Sequence, residues 1–193
     1  MPKISASKVL FVATDGFEEW ELFGPRKILQ ERGAEVLLAS PDLAPIQATV
    51  HDDPGKTIRP DLTVDQARAD DFDALILPGG VRNPDQLRSH RNVIDLIKAF
   101  AAEGKPVAAI CHGPWLLVEA DLLRGRTATS WPSIRTDLRN AGANVVDQAA
   151  VTDGNIVTSR NPDDVEAFTK AVIELIERGP QTAALDSTRE TAA

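Results

Sequence analysis

Val107-Ala108-Ala109-Ile110-Cys111-His112-Gly113-Pro114-Trp115 is the stretch on which the fold turns. Its four leading apolar residues form an unbroken run, the pattern of a strand buried on both faces of a parallel sheet. The run ends at once in Cys-His-Gly-Pro, and Pro114 suits the first turn of a helix. A strand that passes through a tight turn straight into a helix holds the turn residue at the carboxyl edge of the sheet. Open α/β sheets build their sites at that edge. A turn of this kind is a nucleophile elbow, and it sets Cys111 against the amides of a helix mouth. Those dipoles favour thiolate and predict a lowered thiol pKa. The bland alternative is a buried, inert cysteine.

Outward from this segment the same pattern repeats. Lys8–Thr14, Glu35–Ser40 and Ala74–Leu77 read as buried strands, and Ile156–Thr158 as another. Between them, Gly24-Pro25 opens a predicted helix to about Arg32, stopped by Gly33. Asn83-Pro84-Asp85 reads as a helix start with Asn as cap, and Asn161-Pro162-Asp163 repeats it. Further helices are predicted over Val93–Glu103, Trp115–Asp121, Ile134–Ala141 and Val165–Arg178. Residues 41–71 are rich in Pro and Asp and predict loops with one or two short strands, one near Gln47–Val50. Thr127–Thr129 and Val145-Val146 are short strand candidates. The whole predicts one three-layer α/β sandwich over residues 1–179 with a mostly parallel central sheet, followed by a flexible tail over 180–193.

Composition removes several function classes. The 193 residues carry 21 basic and 29 acidic side chains, a formal net charge of −8. Nucleic-acid and anionic-membrane binders need a basic face, so neither partner is expected. One cysteine makes no internal disulfide, and three scattered histidines, His51, His90 and His112, predict no metal site. The polar start and the short apolar run after it do not fit a signal peptide, so a cytoplasmic location is expected.

Other residues at the same sheet edge extend the site. His112, next to the thiol, suits a general base. It is the last histidine in the chain, which excludes an amidotransferase triad with a downstream His. Glu18, Glu19 and Glu21 follow the first strand; a carboxyl beside the thiol and partly buried would keep its proton and donate. Glu19 reads as a solvated first-turn acid, whereas spacing does not choose between Glu18 and Glu21. Gly79-Gly80 ends the third strand. Its bare N–H groups, with that of His112, suit an oxyanion, and a plain tight turn is the alternative.

These segments resemble the ThiJ/PfpI superfamily, specifically its PfpI-type intracellular cysteine protease branch. The resemblance runs through Gly16–Leu22, Leu77–Gly80, Gly104–Pro114, Leu123–Arg126, Thr129–Ile134, Asn140–Ala143 and Val151–Asn155. It implies a flavodoxin-like sandwich, a homo-oligomer and no cofactor. Cys111 is then the nucleophile, Glu21 the carboxyl on the thiol and His112 the catalytic histidine. Asp85 of a neighbouring subunit would orient His112, the N–H groups of Gly80 and His112 would form the oxyanion hole, and Glu18, Gly79 and Trp131 would line the pocket. Two positions depart from the archaeal type: Asp85 replaces a Glu, and Trp131 replaces a Tyr. The implied activity is a stress-response cysteine hydrolase, either a peptidase or a glyoxalase/deglycase on 2-oxoaldehydes and their protein adducts. Its substrate would be a small carbonyl compound or a peptide. The competing expectation is a redox sensor or protective holdase working through oxidation of the same Cys.

Overall fold

A computed structural model describes residues 3–180. In chain order the elements are β1 (Lys8–Val12), β2 (Phe17–Glu18), α1 (Glu19–Glu31), β3 (Glu35–Ser40), β4 (Ile46–Val50) and β5 (Asp53–Ile58). Then come β6 (Leu62–Thr63), β7 (Ala74–Leu77), α2 (Arg82–Leu87), α3 (Arg91–Ala102), β8 (Val107–Ile110) and α4 (Pro114–Glu119). The chain continues through β9 (Thr127–Ala128), α5 (Arg135–Asn140), β10 (Asn144–Val145), β11 (Ala150–Asp153), β12 (Ile156–Ser159) and α6 (Val165–Arg178). The expectation for residues 181–193 lies outside the described residues.

The central sheet runs β11-β12-β8-β7-β1-β3-β6. Every neighbouring pair in it is parallel except the edge pair β11–β12. The unbroken apolar strands are explained by the two layers that cover them. Val9 and Phe11 of β1 point into a core with Leu22 and Leu29 of α1 and Phe168 and Val172 of α6. Leu10 and Val12 point the other way, toward Ile97 and Phe100 of α3, Leu116 of α4 and Leu138 of α5. Alternate residues of one strand thus fill two cores, which is why no polar alternation marks it. The sandwich is mixed α/β and fits the flavodoxin-like class.

Several elements differ from expectation. Helix α1 begins at Glu19, with Pro25 in its interior. Pro25 leaves the Glu21 carbonyl without its helical N–H, and Gly24 before it lies close against the neighbouring helix. An ideal Cβ on Gly24 would meet Val165 Cγ1 at 2.8 Å, so the glycine lets α1 lie close on α6. Asn83 is no cap: α2 starts at Arg82, with Val81 before it, and Asn83 is fully buried. Asn161 does cap, accepting the Asp163 N–H at 3.0 Å, but the turn it starts is a single 3-10 turn ahead of α6. Helix α4 ends at Glu119, two residues early, because Asp121 adopts φ 54°. The strand expected near Gln47–Val50 is β4; beyond that expectation, it pairs with β5 as a hairpin and joins β2 in a separate sheet. Pro54 and Gly55 are tolerated there because β5 is an edge strand.

Candidate active site

Three chain reversals meet at the carboxyl edge of the sheet. After β8, Cys111 takes φ 63°, a left-handed conformation that costs a non-glycine residue about 1–2 kcal/mol. Its N–H donates to the Ser159 carbonyl at 3.0 Å, its carbonyl accepts the Trp131 N–H at 2.9 Å, and Gly113 closes the turn onto Ile110. After β7, Gly80 takes φ 77°, and a Cβ there would collide with the Gly16 carbonyl. Gly79 is equally tight: its Cβ would lie 2.5 Å from Glu21 Oε2 and 2.7 Å from Cys111 Cβ. Both glycines are therefore obligatory for these three loops to interlock. Asn83 ties the loops after β1 and β7 together, donating to the Pro78 and Gly79 carbonyls at 2.9 and 3.1 Å and accepting the Thr14 N–H at 2.8 Å.

Glu21, in the first turn of α1, is fully buried beside the thiol. Its Oε2 accepts the Gly79 N–H at 2.8 Å, and Oε1 has no hydrogen-bond partner among the described nitrogen and oxygen atoms. Burial pushes its pKa up to about 8. Glu18, also buried, accepts the His51 N–H at 3.1 Å, and burial raises it too. Glu19 turns away and pairs with Lys56 at 2.8 Å, which lowers it. Among the three acids, Glu21 is the one that meets the sulfur.

The thiol itself departs from the helix-mouth expectation. Cys111 is only 6% exposed, and burial pushes its pKa up; a charged Glu21 pushes it further, while the amides of His112 and Gly80 pull it down. The two acids share one site, and two negative charges in so small a volume repel. Raised above neutrality, Glu21 keeps its own proton at pH 7, and its unpartnered Oε1 is the position from which that proton can be donated to sulfur.

His112 stands on the other side. Its Nδ1 lies 3.3 Å from Cys111 Sγ and its Nε2 3.3 Å from Ser133 Oγ. The ring stacks on Trp131 at 5.9 Å and meets Trp115 edge-on at 5.4 Å. Burial lowers its pKa, so the imidazole is neutral and available as a base. A cavity of about 390 Å³ opens over the sulfur, bounded by Glu18, His51, Gly80, His112, Trp131 and Ser133. Asp85 is not brought to His112 within the chain. It is exposed on α2 and faces a separate cavity with Thr14, Pro41 and His90.

Ser133, His51 and Asn83 are the residues that sequence reasoning did not single out for the site. The first lies two residues past Trp131 in a quoted segment, but nothing local marks it as a histidine partner. His51 sits on the β4–β5 turn, and only the folding of that hairpin over β2 brings it to the cavity.

Among the described residues, no group of three or more His, Cys, Asp or Glu side chains is arranged to hold a metal ion, and no helix is long and apolar enough to cross a membrane. The description "DJ-1/PfpI family" matches residues 7–175. The chain is 42% identical over 169 residues to deglycase PH1704 of Pyrococcus horikoshii, covering 88% of this chain and 99% of that one. It is 42% identical over 181 residues to general stress protein 18 of Bacillus subtilis, covering 89% and 98%. Among solved structures, DJ-1beta of Drosophila melanogaster superposes with a TM-score of 0.80 at 30% identity, covering 91% of each chain.

Proposed function

The chain belongs to the DJ-1/PfpI family, and from that premise we propose that it is a cysteine-dependent deglycase, releasing 2-oxoaldehydes from early adducts on amines and thiols in the stressed cytoplasm. The observation that carries this reading is a neutral histidine and a proton-bearing carboxyl on opposite sides of one buried thiol. The site contains the parts for base-assisted attack rather than for a standing thiolate.

His112 Nδ1 takes the thiol proton as Sγ bonds to the adduct carbon. The bond from that carbon to the carrier nitrogen or sulfur breaks, and His112 passes the proton to the departing carrier. Oxygen charge rests on the N–H groups of Gly80 and His112, which already point at the sulfur. Within the enzyme-bound hemithioacetal, the carbon on sulfur loses hydrogen and the neighbouring carbonyl carbon gains it. One carbon is oxidised to a thioester and the other reduced to an alcohol. Water then cleaves the thioester, giving a 2-hydroxy acid and the free thiol. Adduct plus water becomes carrier plus hydroxy acid, with no outside oxidant. Ser133 holds the His112 ring, and Asp85 of a neighbouring copy is assigned to the same His112–Ser133 pair.

The cavity over the sulfur supports a small adduct better than an extended peptide. Burial of the thiol argues against the sensor reading, because oxidation follows thiolate character and exposure. The test is Cys111→Ser, assayed for 2-hydroxy acid formed from methylglyoxal and for carrier released from its adducts. Turnover is expected to fall at least about a thousandfold with an unchanged melting temperature. Equal turnover in the variant discards the nucleophile.

A further inference from the structure

A second cavity, of about 420 Å³, adjoins the first and shares His51, Asp52 and Val81 with it. Its remaining wall includes Asp15, Gly16, Gln47 and Arg82. Gly16 is what lets Arg82 lie there: an ideal Cβ at Gly16 would stand 2.7 Å from Arg82 Cβ. Much of the other polar lining is already used. Thr49 Oγ1 donates to the Phe17 carbonyl, Gln47 Nε2 to that of Gly55, and one Asp15 oxygen accepts the Gln47 N–H. Arg82 and Asp52 are exposed at the cavity's mouth, and among the described residues their charged ends make no side-chain hydrogen bond or ion pair, nor does Asp15 Oδ2. The cavity therefore offers one unspent cation and two unspent carboxylate positions, with the His51 ring at the shared lip.

That balance selects by charge. A simple anion meets Asp15 and Asp52, and a simple cation meets Arg82. A group carrying both signs satisfies all of them at once, because its carboxylate takes the bidentate fork of Arg82 and its ammonium takes the acids. We propose that this cavity binds the α-ammonium and α-carboxylate of a free amino acid whose side chain carries the adduct into the Cys111 pocket. The substrate class is then side-chain adducts of free amino acids. This assignment of substrate rests on the deglycase reading of Cys111, whereas the binding site itself does not.

The two are separable by experiment. Calorimetric titration of the full chain with L-norleucine (both charges), N-acetyl-L-norleucine (anion) and L-norleucinamide (cation) reads the cavity without any chemistry. Norleucine is expected to bind at least tenfold tighter than either blocked form. Arg82→Met should remove that preference over the cation, and Asp52→Asn should reduce that over the anion. In turnover, wild type should favour the methylglyoxal adduct on the side chain of free arginine over that of Nα-acetyl-arginine amide about tenfold in kcat/KM. Arg82→Met should bring that ratio close to one while methylglyoxal alone is consumed at the wild-type rate. Equal binding of the three probes, or a preference unchanged by Arg82→Met, overturns the proposal. Absence of methylglyoxal turnover in wild type, with norleucine still preferred, overturns the deglycase reading and leaves the binding site standing.

Discussion

At Glu21 the proton has two consequences that can be measured independently. The carboxyl is held protonated up to about pH 8 in the folded chain, against an ordinary value of 4.5. Between those two values, unfolding releases a proton that folding had retained, so stability falls as pH rises from 4.5 to 8 and levels off beyond. Glu21→Gln keeps a neutral donor and acceptor of the same shape and removes that slope. Melting temperatures recorded from pH 4.5 to 8.5 should show wild type losing stability across the window, on the order of a few kcal/mol, and the variant losing markedly less, with the residual slope left to Glu18 and His112. The same ionisation shapes the chemistry. In the proposed mechanism, ionisation of Glu21 above about pH 8 places a negative charge beside the sulfur and opposes its attack, so kcat/KM should fall on the alkaline side. Glu21→Gln should be slower at pH 7, because an amide is the weaker donor to sulfur, yet lose that alkaline limb. A variant with the wild-type alkaline limb would assign it to another group.

Elements, not single side chains, determine whether these atoms meet, and Asn83 is the joint between them. Its buried amide bonds the end of β1 through Thr14 and the Pro78 and Gly79 carbonyls of the turn after β7. Asn83→Ala leaves those backbone groups in a site with little room for water, which costs about 2–4 kcal/mol. Urea denaturation should register that loss, and kcat should fall with KM little changed, because Gly80 would no longer hold its N–H on the sulfur. The strands themselves were legible. Val9–Val12, Ala74–Leu77 and Val107–Ile110 are local apolar runs, and a strand followed by Cys-His-Gly-Pro announces its turn within nine residues. Asn83 was misread because Asn before Pro-Asp carries the same local signal whether its side chain caps a helix or crosses to a neighbouring loop. Helix α1 was shortened because Pro25 looks like a beginning when the contact of Gly24 on Val165 is invisible. Ser133 and His51 are joined to the site only by packing between distant segments. The expected acidic thiol is opposed for the same reason: the helix mouth that lowers its pKa is local, whereas the burial that raises it is assembled by the whole sheet edge.

At the scale of the whole molecule, charge and assembly act on the site together. The formal charge is −8, so copies repel at low ionic strength, and added salt should favour association. Val81 and Trp131, at the cavity rim, remain 59% and 37% exposed in the single chain, an apolar margin that a second copy could cover. Asp85 is exposed on α2, away from its own His112, so a role at that ring requires a second copy. If Asp85 does act across an interface, activity per chain depends on concentration, because dilution removes a carboxylate from the His112–Ser133 pair. Sedimentation and turnover measured on the same dilution series should fall together, with activity per chain dropping about tenfold as the assembly dissociates and recovering with added salt. Asp85→Asn should show the lower activity at every concentration while sedimenting as wild type. A monomer as active as the concentrated protein would instead leave Ser133 as the sufficient partner of His112. The shorter reach of Asp relative to Glu at this position would then cost the protein nothing.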